Sequence, residues 1–192
     1  MTQSLRNIFA FFAVALLGLA PVALSAQAAE WNVDRGASAI RFSGTHAGRE
    51  FNGRFAQWTA RIRFDPENLE QSRLIVVIDT SSATTGDRVQ ETTLVNPEWF
   101  DSANHRFANF RSTSITSLGA NRYSARGMLE IKGKETPVTL PFTVDSSGNR
   151  ARGTGSLTLD RIALGLGTKS DPKAQWVGQK INLSISVSAT KG

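Results

Sequence analysis

No cysteine occurs anywhere in the 192 residues. That removes disulfide staples, lipid-modified cysteine anchors and thiol nucleophiles together. Histidine is almost as scarce: His46 and His105 stand in separate segments, and no H-E-x-x-H or H-x-E motif is present. Zinc catalysis normally needs three protein ligands, so no metal site is assigned. The two histidines read instead as polar groups at strand ends, His46 within reach of Glu50 and His105 of Asp101. No serine sits in G-x-S-x-G, and Gly165-Leu166-Gly167 with Lys169 lacks the spacing of a phosphate loop. Glu98 and Asp101 read as helix-terminus charges rather than an acid–base pair. No catalytic residue and no cofactor is therefore assigned. Lys and Arg form no run of four; they are scattered singly along strands, as at Arg61, Arg63, Arg73, Arg122 and Arg126. A net charge of +6 in that arrangement does not imply nucleic-acid binding.

What is present begins with an address. Arg6 supplies a positive start, residues 7–29 carry no charge, and Ala26-Gln27-Ala28 is a small-x-small cleavage signature. Pro21 and Gln27 favour a cleaved signal peptide, 1–28, over a retained anchor. Removing 28 residues leaves 164, residues 29–192, a single domain large enough to bury a core. The expected location is periplasmic or secreted.

Strand signals fill the rest. Trp31 to Val33 opens, with a turn around Arg35-Gly36. Residues 49–64 form one long run in which Phe51, Gly53 and Phe55 share one phase and Trp58, Ala60, Ile62 and Phe64 the other. That change predicts a bulge or bend near Ala56-Gln57. The most apolar strand lies within residues 72–80. Asp87 is a candidate cap for a helix from Arg88, and Pro97 for a second helical turn carrying Trp99 and Phe100. Residues 127–142 alternate across a loop at Lys132-Gly133 and predict an antiparallel hairpin. Pro137 and Pro141 share one phase of its second strand, which implies an edge, a bulge or an unpartnered N–H direction.

Eight or nine strands with short turns and one helical insertion suit a barrel or a sandwich. Small residues at inward positions (Gly53, Ala60, Ala125, Gly127, Gly153 and Gly155) fit a hollow barrel, although glycines at barrel corners explain them equally.

Five stretches together resemble the YceI-like family: WNVDRGASAIRFSGTHAGREFNGRF, IRFDPENLEQSRLIVVIDTSS, TLVNPEWFDSANHRFANFRS, YSARGMLEIKGKETPVTLPF and LDRIALGLG. The chain departs from the family at Gln90-Glu91, often Arg-Asp, and at His105-Arg106, commonly Tyr-Pro. The resemblance implies an all-β fold, an extended eight-stranded antiparallel lipocalin-like barrel with a short helical insertion over its mouth. It also implies a long-chain lipid ligand of polyisoprenoid or quinone type. The wall contacts expected on this basis are Phe42, Phe55, Trp58, Ile62, Val77, Phe110, Leu129, Leu140 and Leu157. Leu94, Trp99 and Phe100 are expected from the lid. A side-chain-filled barrel serving as a stress-related partner-binding module, and a lipid-modifying enzyme, stand as the other readings. Transient membrane contact and a homodimer through an edge near Pro137 are compatible with the pattern.

Overall fold

The computed structural model describes residues 28–192, so the expected signal peptide lies, but for Ala28, outside the described residues. Within them run β1 (Glu30–His46), β2 (Arg49–Phe55), β3 (Trp58–Arg63), β4 (Arg73–Asp79), β5 (Ala83–Thr84), α1 (Arg88–Leu94), β6 (Phe107–Gly119), β7 (Arg122–Ile131), β8 (Lys134–Ser147), β9 (Arg150–Asp160) and β10 (Lys180–Lys191). Every strand pairs antiparallel, in the order β10-β9-β8-β7-β6-β4-β3-β1, and a β1–β10 ladder closes the ring. β2 and β3 form one wall strand bent at Ala56-Gln57, where the phase of the sequence changes. Counted so, the barrel has eight strands and one short helix, with β5 a two-residue addition to β2.

β1 does not stop at Arg35-Gly36; it bulges there. The ladder runs Asp34↔Ser188 and resumes at Ala39↔Ser186. The Asp34 carboxylate ties the bulge by accepting from the Gly36 and Ala37 amides at 2.9 and 3.2 Å. The extra residues reverse the phase, so that Trp31 before the bulge and Ile40 after it both face the interior.

The β7–β8 hairpin turns in two residues, Lys132 and Gly133, both at positive φ (53° and 71°). That twist matches the right-handed twist of the flanking strands. The register from Ile131↔Lys134 places Pro137 and Pro141 opposite Met128 and Ser124. Alternation from the turn makes both non-hydrogen-bonded pairs, so the proline nitrogens point toward β9. There β8 pairs with β9 only from Phe142↔Gly155 onward, leaving Lys134–Pro141 bound to β7 alone. The prolines thus mark a splay in the wall.

α1 begins as its sequence implies, with Asp87 Oδ1 accepting from the Val89 and Gln90 amides at 2.8 and 3.2 Å. The helical turn expected from Pro97 forms as a tight turn and not as regular helix. Residues 95–100 are tight turns, with the Phe100 amide bonded to the Leu94 carbonyl and Trp99 to Asn96. Asp101 at positive φ ends the run.

The inward glycines divide into two kinds. Gly53 and Gly127 lie beneath the rings of Phe42 and Phe110, and a Cβ at Gly127 would also strike the Arg111 carbonyl. A Cβ at Gly153 would meet only the Thr143 carbonyl oxygen, at 3.8 Å. Gly127→Ala is accordingly expected to cost about 1–3 kcal/mol through overpacking, whereas Gly153→Ala changes stability by less than about 1 kcal/mol. Urea midpoints of the two variants check this; equal losses would show that no space stands in front of Gly153.

Candidate functional site

The barrel is hollow. Its cavity measures about 160 Å³, counted over positions open to the centre of a water-sized sphere. Thr154 is the one polar residue on its boundary, and its hydroxyl lies outside the wall, 2.7 Å from that of Thr143. No charged side chain lines it. The cavity spans Val138 to Val144 on β8 and Leu183 to Ala189 on β10. Six residues of tilted strand give an axial reach of roughly 15 Å.

Of the residues expected from the sequence, Trp58, Ile62, Phe110, Leu129, Leu140 and Leu157 line this cavity. Phe42 and Phe55 point inward but pack on each other, with ring centroids 5.0 Å apart, beside the cavity rather than on it. Phe100 lies 6.0 Å from Phe55, and Leu94 joins the same cluster beneath α1. Trp99 packs at the end of the barrel against Gly167 and the Arg161 guanidinium. Val77 is a correction: it lies on the outer face. β4 is apolar on both faces, so its sequence leaves the phase open. The ladders Ala60↔Val76 and Trp58↔Ile78 turn Leu74, Val76 and Ile78 inward.

The end of the barrel under Trp99 is closed by the loop between β9 and β10, which sequence reasoning missed as a functional element. Leu164 and Leu166 are buried against Leu129, Ile131 and Leu159. Arg161, wholly buried, holds the loop from inside. Its Nη2 donates to Asp171 Oδ2 at 2.7 Å and its Nη1 to the Leu166 carbonyl at 2.9 Å. Asp171 also accepts from the Gln175, Trp176 and Val177 amides. Glu98 ties loop to lid by accepting from the Lys169 and Ser170 amides at 2.7 and 2.9 Å. The arginine set in LDRIALGLG was the available signal, since an arginine within an apolar run needs a buried partner, here Asp171 from beyond that stretch. Lys134 donates to the Ala163 carbonyl and fastens the same loop.

At the other end Phe64, Tyr123 and Phe142 form an aromatic triangle with centroids 5.0 to 5.9 Å apart, and Trp31 Nε1 donates to the Phe64 carbonyl. The histidines lie apart from the cavity lining: His46 is opposite Arg49, and His105 Nε2 lies 3.9 Å from Asp101. Among the described residues no three of His, Cys, Asp and Glu converge as metal ligands. Nor is any helix among them long and apolar enough to cross a membrane.

A family model described as the YceI-like domain matches residues 31–189. The chain belongs to the YceI-like family. A UPF0312 protein of Vibrio parahaemolyticus is 30% identical over 141 residues, 72% of this chain and 75% of that one. The crystal structure of Burkholderia cenocepacia BcnA superposes with a TM-score of 0.80 at 29% identity, covering 83% of this chain and all of that one. A polyisoprenoid binding domain from Saccharophagus degradans, implicated in plant cell wall breakdown, shares the fold. It superposes with a TM-score of 0.66 at 14% identity, covering 86% of this chain and all of that one. Glu91 and Arg106 have local roles here. Glu91 Oε1 accepts from the Thr84 hydroxyl and the Thr85 and Gly86 amides, fastening α1, and Arg106 pairs with Asp79.

The loop carboxylates have pKa values below the usual range. Asp171 is lowered chiefly by the Val177 amide, Glu98 by the Ser170 amide and Asp160 by the Ala163 amide. Their contribution to stability is full above the unfolded carboxylate range of about 4 and is lost as pH falls through the lowered folded values. The protection factors of amides in residues 161–179, taken against the intrinsic exchange rate at each pH, are therefore expected to fall below about pH 4 before those of the wall strands. Protection that is unchanged down to pH 3 would contradict this.

Proposed function

We propose that this protein is an exported carrier, held in the periplasm or secreted, that encloses the tail of an isoprenoid or similar long-chain amphiphile of quinone or polyprenyl type. The observation that carries this reading is the channel itself: tall, narrow and without a polar side chain turned inward. A channel of that kind rewards hydrocarbon alone. Each methylene moved from water into it contributes about 0.8 kcal/mol, so ten supply roughly 8 kcal/mol before the tail's ordering costs are subtracted. That gross figure corresponds to a micromolar dissociation constant. Membership of the YceI-like family and the fold shared with a polyisoprenoid binding domain support the same reading. The charge-free N-terminal stretch with its small-x-small exit supports export. The unfilled interior weighs against a barrel packed solid by its own side chains. With no nucleophile or acid–base pair on the cavity wall, the reading is of binding rather than turnover.

Native mass spectrometry of protein purified from the periplasm or medium is expected to show a bound long-chain lipid. Gly153→Phe, which projects a ring into open space, is expected to reduce occupancy at least severalfold, while Arg126→Ala, on the exposed outer face of β7, leaves it unchanged. A parent protein that is lipid-free and refuses added polyprenyl lipid would sink the carrier reading.

A further inference from the structure

Four large apolar side chains stand in water among the described residues: Val89, Phe107, Leu118 and Trp176. All but Leu118 belong to the end of the barrel that carries the lid helix and the loop between β9 and β10. Trp176, the largest, is 65% exposed. The other described tryptophans are engaged: Trp58 is buried, Trp31 Nε1 donates to the Phe64 carbonyl and Trp99 packs on Gly167. An indole left in water keeps both apolar faces hydrated, and burial against a suitable surface would be favourable.

A loose backbone does not explain this exposure. The Trp176 amide donates to Asp171 Oδ2 at 3.1 Å, and its carbonyl accepts from the Ala47 amide at 2.7 Å. The next residues are strapped to the β1–β2 turn. Val177 bridges to His46, the Gly178 amide donates to the Thr45 carbonyl at 2.8 Å, and a Cβ at Gly178 would strike the Thr45 hydroxyl. On the other side the chain turns through Ala174 at φ 53°, a conformation that L side chains rarely adopt. Backbone on both sides of the ring is thus committed, and the ring itself faces out.

The charge beside it has one free sign. Residues 160–180 hold four cations, Arg161, Lys169, Lys173 and Lys180, against two acids, Asp160 and Asp171. Arg161 and Asp171 are buried on each other, and Asp160 accepts from the Ile162 and Ala163 amides and from Gln179. The three lysines are exposed, and among the described residues no carboxylate forms an ion pair with them. Lys173 stands three residues before Trp176, and Arg49 follows the turn to which Trp176 is bonded.

We propose that Trp176 is the point at which this protein docks on an anionic lipid bilayer, its indole seated at the level of the head groups with Lys169 and Lys173 over the phosphates. Tryptophan suits that layer because its ring is apolar and its N–H polar. Lysine stems lie along apolar surface while their ammonium groups stay wet, and the negative potential of the bilayer draws them. A protein partner fits less well, since lysine is depleted where proteins meet one another. The contact goes beyond the carrier reading: it involves the outside of the loop and needs nothing in the channel.

The test is co-sedimentation of the exported protein with vesicles of phosphatidylcholine, alone or with about one-third phosphatidylglycerol, beside Trp176→Ser, Lys173→Gln and the wall control Arg61→Gln. Trp176 and Lys173 are exposed, so their replacement leaves the core intact, which equal urea midpoints check. Binding to the anionic vesicles is expected to fall at least about tenfold in Trp176→Ser and about fivefold in Lys173→Gln. Arg61→Gln, on the outer face of β3, is expected to stay within about twofold of the parent. Lipid brominated on its acyl chains is expected to quench the emission of the parent, and Trp176→Ser to lose that quenching although Trp31, Trp58 and Trp99 remain. Gly153→Phe, which fills the channel, is expected to dock as the parent does, so that a failure of the carrier reading is distinguishable from a failure of this one. No binding to anionic vesicles, equal binding to neutral ones, or undiminished binding by Trp176→Ser would overturn the proposal. Loss in Arg61→Gln as large as in Trp176→Ser would move the contact to the wall and overturn it too.

Discussion

The ladder between β1 and β10 is the pairing on which everything else depends. It joins Trp31 to Lys191 and Phe42 to Leu183, nearly the two ends of the described chain. Closing the sheet is what gives it an inside, since an open sheet of this length would leave two edges and expose one apolar face. The loop entropy of such distant pairings is offset only when the whole ring is in place. The long bulge in β1 belongs to the same constraint. Without its extra residues the strand could not face Trp31 and Ile40 inward along one continuous ladder.

Once the ring is closed, the question is what fills it, and the answer is side-chain size. Phe42 and Phe110 fold over Gly53 and Gly127, so two of the glycines serve close packing within the wall. Gly153 and Ala60 instead face the axis and leave it empty. A cavity so formed loses dispersion contacts that a packed core would have. The ends of the barrel, by contrast, are closely packed and bonded. The loop around Arg161 and Asp171 is built from a buried ion pair whose remaining donors and acceptors are nearly all met by backbone groups. Such a pair adds little over an apolar plug of equal volume, but it tolerates only one loop conformation. The physical consequence is a densely hydrogen-bonded floor beneath an unfilled channel.

The electrostatics of the outer surface follow from the same geometry. Most acids near the ends of the barrel are consumed by amides: Asp87, Glu91, Glu98, Asp160 and Asp171 all accept from backbone N–H groups. Their negative charge is tied to local structure, whereas arginines along the strands remain exposed. Arg35 lies over the ring of Trp58 and Arg106 over that of Phe107.

Alternation, turn chemistry and capping were readable from the sequence because each depends on residues close together in the chain. The bend at Ala56-Gln57, the Lys132-Gly133 turn, the Asp87 cap and the interrupted edge at Pro137 and Pro141 are of this kind, and so is the inward face of β7, where apolar and polar residues alternate cleanly. Val77 shows where local reading stops. β4 is apolar on both faces, and only its ladders to β3 and β6 decide which face meets the axis. Trp99 and Phe100 show the same limit, since a proline suited to starting a helix sits instead in turns set by contacts to Gly167 and Phe55. The empty channel and the Arg161 floor belong wholly to the tertiary structure. Each arises from groups brought together by ring closure, and no pattern along the chain records the distance between them.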